Sequence, residues 1–241
     1  MTYRITTAIA AIAALSVAAA CGNNDNSTNP TPQTARVRVV NLDPSSANAG
    51  LFANGTAVGS NVAFGSAGST CINVPVGQTL SFRAAGSGTD LVSNSNANFT
   101  AGQNYTVVLY RNGSGPQQAV LSDGGATAPS SGNNALRFFN ATGTAGDIYV
   151  TSNGATISGT PSRANLAAGS ATTGTSAWMN FPNTNSQIRM FNVGTSTGTP
   201  RVNTTFTSSN LSANGIGTAF LTESNMTGTS TNASVVAGPC S

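Results

Sequence analysis

The 241-residue sequence contains no histidine and no lysine. All nine basic residues are arginine, six residues are acidic, and charged residues make up only 6% of the chain. Without histidine, Ser-His-Asp and Cys-His catalytic arrangements cannot be assembled from this chain. Without lysine, Schiff-base chemistry, Ser-Lys dyads and the P-loop lysine are excluded as well. Three cysteines and no histidine are a poor zinc set. The sequence pI of 9.1 reflects a surplus of only three positive charges, far short of the clustered basic residues that track nucleic-acid phosphates. The acids are Asp25, Asp43, Asp90, Asp123, Asp147 and Glu223. None is spaced as in a calcium loop. A glycosidase-like pair would have to come from distant aspartates, and in turns such as these aspartate is ordinarily a turn residue. The expectation is a protein that is not an enzyme, with no catalytic residues, no metal, no cofactor and no nucleic-acid partner.

What is present is a strand pattern stated twice. Ala35-Arg36-Val37-Arg38-Val39-Val40-Asn41 alternates apolar and charged residues, the period of a half-buried strand. Ninety-nine positions later stands Ala135-Leu136-Arg137-Phe138-Phe139-Asn140, and the hairpin signal Asn54-Gly55 is answered by Asn153-Gly154 at the same offset. Cys71-Ile72-Asn73-Val74-Pro75 corresponds to Trp178-Met179-Asn180-Phe181-Pro182 at offset 107, and Leu80 and Phe82 correspond to Ile188 and Met190 at 108. Thr106-Val107-Val108-Leu109 corresponds to Thr218-Ala219-Phe220-Leu221 at 112. The offset grows only in Gly/Ser/Thr-rich stretches, where loops accept insertions. The expected fold class is all-β: two tandem Ig-like or transthyretin-like β-sandwich repeats after a lipoprotein signal peptide. The repeats span 35–123 and 135–241, joined by a linker over 124–134.

The first twenty residues read as a signal peptide: Arg4, then an apolar run from Ile5 to Val17 that is short for a bilayer span. Ala18-Ala19-Ala20-Cys21 resembles the lipobox of bacterial lipoproteins, which makes Cys21 the expected lipidation site. Residues 21–34 lack apolar periodicity and form a flexible tether, with an r.m.s. reach of roughly 20 Å. The expected location is the bacterial cell envelope. Gly22 in place of an aspartate after the cysteine points to the outer membrane, with the lipid as the membrane contact.

The motif Ala35–Asn41 followed by Asp43-Pro44, the Asn54-Gly55 turn, Val74-Pro75-Val76-Gly77, and Phe99-Thr100-Ala101-Gly102-Gln103-Asn104-Tyr105-Thr106-Val107-Val108 together resemble the DUF4397 family. The resemblance covers about Ala35 to Ser122 well and the second copy loosely. The family usually reads Ser-Pro-Asp-Ala-Pro where this chain has Leu42-Asp43-Pro44-Ser45-Ser46. The resemblance implies an exported, often lipidated, β-rich bacterial protein of uncharacterised function, and it carries over no catalytic residue.

Candidate contacts follow from the remaining side chains. Arg38 and Arg137 occupy equivalent positions, and Arg83 and Arg189 nearly so. Their first reading is a solvated strand face that guards against edge pairing, and their functional reading is a repeated anion or glycan contact. The single tryptophan, Trp178, shares parity with Asn180, whereas Met179 and Phe181 share the opposite face. Trp178 therefore points outward or toward the other copy. The expected role is a structural or adhesive one at the surface. The alternative is a glycan- or polymer-binding module that uses exposed Trp178, Tyr110 and Tyr149, with envelope polysaccharide or other surface proteins as partners. The expected core is Val37, Val39, Leu80, Phe82, Val107 and Leu109 in the first copy, and Leu136, Phe138, Ile188, Met190 and Phe220 in the second. With Cys21 lipidated, Cys71 and Cys240 are the two thiols left, and an oxidising compartment pairs them.

Overall fold

The computed structural model describes residues 33–94, 97–206, 211, 215–223, 231–236 and 240. Cys21, the expected signal peptide and most of the tether lie outside the described residues. The first half contains β1 (Thr34–Leu42), β2 (Asn48–Ala53), β3 (Thr56–Ala63), β4 (Ser66–Ala67), β5 (Ile72–Pro75), β6 (Leu80–Ala84), β7 (Asp90–Asn94), β8 (Asn104–Asn112) and β9 (Gly115–Ser122). The second contains β10 (Asn133–Asn140), β11 (Gly146–Ser152), β12 (Arg163–Leu166), β13 (Met179–Pro182), β14 (Ser186–Asn192), β15 (Val202–Phe206), β16 (Ile216–Glu223) and β17 (Thr231–Val236). The fold is all-β, a stack of packed sheets.

Each half contributes two sheets. In the first they run β4-β1-β8-β9, with β5 also on β1, and β3-β2-β6-β7. In the second they run β13-β10-β16-β17 and β12-β11-β14-β15. The opening strand of each half pairs in parallel with a late strand, Val37 opposite Tyr105 and Leu136 opposite Gly217. The other sheet neighbours are antiparallel. A parallel pair needs a long crossover, and here the intervening strands of the second sheet supply it. Pro75 lies opposite Thr34, and Pro182 lies opposite Asn133. The register therefore reproduces the sequence offsets of 99, 107 and 112 strand by strand.

Three apolar layers separate the four sheets. Val37, Val39, Leu51, Leu80, Phe82, Val107 and Leu109 fill the sandwich of the first half. Leu136, Phe138, Ile148, Ile188, Met190, Ala219 and Leu221 fill that of the second. The third layer joins Val40, Leu42, Val108, Tyr110, Ala119 and Leu121 of the first half to Phe139, Ala141 and Phe220 of the second. Phe220 is buried as expected, but it lies in this joining layer, because its parity is that of Val108. β1 and β10 thus bury both faces, not one. Their doubly apolar endings, Val39-Val40 and Phe138-Phe139, are what two buried faces require.

The two turns that read alike in sequence fold differently. Asn54 and Gly55 both adopt positive φ, 46° and 79°, and close β2 onto β3 as a two-residue hairpin. After Asn153-Gly154 the chain instead runs through a ten-residue loop, 153–162, before β12. The expected linker also starts differently from its composition. Asp123, read as a turn residue, is buried, Pro129 is buried as well, and β10 begins at Asn133.

Candidate functional site

The junction between the halves gathers most of the unusual chemistry. Along β1 the even-numbered side chains leave the first sandwich, and the parallel register sets Arg38 beside Thr106, Val40 beside Val108 and Leu42 beside Tyr110. Along β10 the same register sets Arg137 beside Thr218 and Phe139 beside Phe220. Each facing sheet therefore carries an Arg-Thr row at one end and apolar rows beyond it.

Asp123, just after β9, completes the polar end. Its carboxylate accepts from Arg137 Nη2 at 2.7 Å and from Thr106 Oγ1 at 2.9 Å. Arg137 also donates to Thr218 Oγ1 and to the carbonyl of Ser122. Both ionic side chains are almost wholly buried, at 6% and 3% side-chain exposure. Burial pushes the Asp123 carboxyl up against the pull of Arg137, and pushes Arg137 down against that of Asp123. Desolvation outweighs attraction in both partners, as expected for an ion pair out of water. Arg38 is half-buried, has its pKa lowered by burial and is held by Asp123 at longer range. Its Nη2 lies 3.7 Å from Cys71 Sγ. The solvated-face expectation for these arginines is corrected: the second layer of β-sheet covers the face on which they stand.

Trp178 is half-buried, with its ring 4.6 Å from the Arg137 guanidinium carbon, a cation–π contact. Met179 and Phe181 pack on the core of the second half, as strand parity requires. Trp178 also lines an open hollow of about 400 Å³ with Gly125, Thr127, Ala135, Ala177 and Asn180. Beside this cluster Cys71 and Cys240 form a disulfide across 169 positions. Asn104 Nδ2 donates to the Cys240 carbonyl.

The three aromatics expected to form a platform are not brought together. Tyr110 is 4% exposed in the joining layer, edge-on to Phe139, and its hydroxyl donates to the Gly169 carbonyl at 2.9 Å. A side chain at Gly169 would strike that ring at 2.2 Å, so the loop can cover Tyr110 only with glycine there. Tyr149 is 6% exposed and packs edge-to-face on Phe191. Of the expected trio only Trp178 reaches solvent, because the second half and its Gly169 loop cover Tyr110 and the Phe191 ring packs on Tyr149.

The remaining described carboxylates serve the frame. Asp43 pairs with Arg111 at 2.8 Å. Arg83 pairs with Asp90, holds its carboxyl below the usual range and stacks over Phe52. Asp147 accepts from the backbone N–H groups of Asn165 and Gly194. Sequence reasoning missed Asp123 as the partner of Arg137. The available signal was the recurrence of an arginine on a strand whose same face turns apolar two residues later.

A family model described as Domain of unknown function (DUF4397) matches residues 35–151. Over that span the chain is similar to the DUF4397 family. No curated protein matches the chain. The DUF4397 match runs past β9 and through β10 into β11, ending at residue 151, so Arg38, Cys71, Asp123 and Arg137 lie within it, while Trp178 and Cys240 lie beyond it.

Proposed function

We propose that this protein is a non-enzymatic, lipid-anchored component of the bacterial cell envelope with a structural or adhesive surface role. In this reading Cys21 carries the lipid, residues 21–34 are the lipid-anchored tether, and two tandem Ig-like or transthyretin-like copies form one stiff body on the outer membrane. The observation that carries it is the Cys71–Cys240 disulfide beside the Arg137–Asp123 pair. A covalent bond between the opening strands of one half and the end of the other resists independent movement of the two. Disulfides persist in exported proteins, which agrees with the Ala18-Ala19-Ala20-Cys21 segment. The matching strand order and register of the halves support a duplication. The engagement of the Asp43, Asp90, Asp123 and Asp147 carboxylates in frame contacts supports a non-enzymatic role.

The test is metabolic labelling with an alkynyl fatty acid in a Gram-negative host, comparing the native chain with Cys21→Ala. Label in the outer-membrane fraction that is lost in the variant supports the anchor. An unlabelled native chain released into the medium overturns it. For the surface role, cells expressing the anchored chain should differ in cohesion or attachment from cells expressing the released variant. Equal behaviour of the two overturns that part.

A further inference from the structure

The outer sheet of the second half presents a second face, away from its core. On β14 the core takes Ile188 and Met190, which leaves Gln187, Arg189 and Phe191 on the other side. Antiparallel register then builds rows across three strands. Tyr149, Arg189 and Asn203 stand in one row, and Thr151, Gln187 and Thr205 in the next. Gln187 Nε2 donates to Asn203 Oδ1 at 2.7 Å. This face is the floor of an open groove of about 490 Å³, within the range of small-ligand sites.

The walls are loops that the first half lacks at this length. Between β11 and β12 the chain spends residues 153–162 where the first half uses only Asn54-Gly55. Between β14 and β15 it spends 193–201 where the first half uses 85–89. Gly154 to Ile157 form one wall, and Ser196 to Gly198 with Pro200 form the other. Extra loop length flanking one sheet face is how rigid scaffolds acquire binding surfaces.

Charge separates this face from its counterpart. In the first half Arg83 is closed off by Asp90 and by the Phe52 ring. Arg189 is the one charged side chain lining the groove, and its bonds go to Thr151 Oγ1 and the Ala155 carbonyl, both neutral. Its Nε is buried without a hydrogen-bond partner among the described residues. Among the described residues no carboxylate lines the groove to balance this guanidinium. A carboxylate is the acceptor that guanidinium geometry favours.

We propose that this groove binds an acidic saccharide chain, with a uronic-acid carboxylate accepted at Arg189. The Gln187 and Asn203 amides offer both donors and acceptors to neighbouring hydroxyls. Ile157 and Pro200, both partly exposed, supply apolar surface for the C–H face of a sugar ring. The open form of the groove suits a stretch of polymer. The site does not depend on Cys21 or on the lipid anchor, so it stands or falls separately from the envelope reading.

The experiment is calorimetric titration of the full-length chain, in detergent, with a short oligogalacturonate and with the same oligosaccharide after carboxyl reduction. Binding with a Kd of about 0.1–1 mM is expected for the acidic probe, at least about tenfold weaker for the reduced one. Arg189→Gln should weaken acidic binding about tenfold. Asn203→Ala, on an exposed side chain that leaves the loop contacts of Arg189 intact, should weaken it severalfold. Thermal melts of both variants establish that they fold. No heat with the acidic probe at about ten times the expected Kd, equal binding of the reduced probe, or binding unchanged in both folded variants would each overturn the proposal.

Discussion

Asn41 and Asn140, ninety-nine positions apart and both fully buried, make the same bonds. Asn41 Nδ2 donates to the carbonyls of Ser46 and Val62, and its Oδ1 accepts from the N–H of Asp43. Asn140 Nδ2 donates to the carbonyls of Thr144 and Leu166, and its Oδ1 accepts from the N–H of Thr142. Each amide ends an opening strand, closes the next loop and ties it to the third strand or its border. Asn41→Ala takes the amide partner from two carbonyls and one N–H, whereas Asn140→Ala takes it from the Leu166 carbonyl and the Thr142 N–H, the Thr144 carbonyl keeping the Thr142 hydroxyl. The expected cost is on the order of 3 kcal/mol, read as a lowered midpoint in urea. Equal, small losses at both sites would remove the latch role.

Arg137 and Asp123 are expected to behave as a costly pair that is worse when halved. Arg137→Met or Asp123→Leu alone should cost about 3–5 kcal/mol, because each leaves a buried charge uncompensated. The double variant should recover most of that loss. A denaturation cycle measures the coupling, and additive losses would show that the two charges act independently.

Tyr110 supplies an alkaline signature. Burial raises its phenol pKa above the ordinary value near 10. A raised folded-state pKa contributes stability that is complete below the unfolded value and is lost as pH rises through the folded one. Stability should therefore decline above about pH 10 more steeply in the native chain than in Tyr110→Phe. Melting curves of the two across that range decide it, and parallel declines would exclude Tyr110 as the cause.

The disulfide should appear as a Cys71–Cys240 cross-linked peptide when protein is alkylated without reductant and mapped. Cys71→Ser with Cys240→Ser should lower stability by up to about 5 kcal/mol, the chain-entropy value for a loop of this size. Both thiols alkylated in the native protein would refute the bond.

Core truncations test the strand parity. Phe82 and Phe138 are fully buried in separate sandwiches. Phe82→Ala and Phe138→Ala should each cost about 3–5 kcal/mol. An unmoved denaturation midpoint for either would contradict its place in the core.

Much of the fold could be read from local chemistry. Alternation placed Val37 and Val39 in the core, Asn54-Gly55 announced its hairpin, and Pro75 and Pro182 marked the ends of matching strands. Elimination among three cysteines was enough to pair Cys71 with Cys240. What stayed hidden depends on which sheet covers which face. Arg38 and Arg137 look solvated until a second sheet closes over them. Tyr110 and Tyr149 look available until a loop at Gly169 and the Phe191 ring cover them. Asn153-Gly154 carries the turn signal of Asn54-Gly55, but the chain after it is too long for a two-residue hairpin. The groove at Arg189 follows from two loop lengths and one register, and no short motif records it.

The Cys71–Cys240 bond also sets how the protein answers tension. If force is applied between residue 34 and residue 240, the load crosses the sulfur bridge and bypasses everything between residues 71 and 240. Only the stretch from β1 through β4 and its following loop can pay out, on the order of 130 Å of contour at about 3.5 Å per residue. Without the bridge the same pull could release on the order of 700 Å. The second half and most of the first are thereby shielded from stretching, and β1 must part from both β8 and β5, which lie in the shielded stretch, before it pays out.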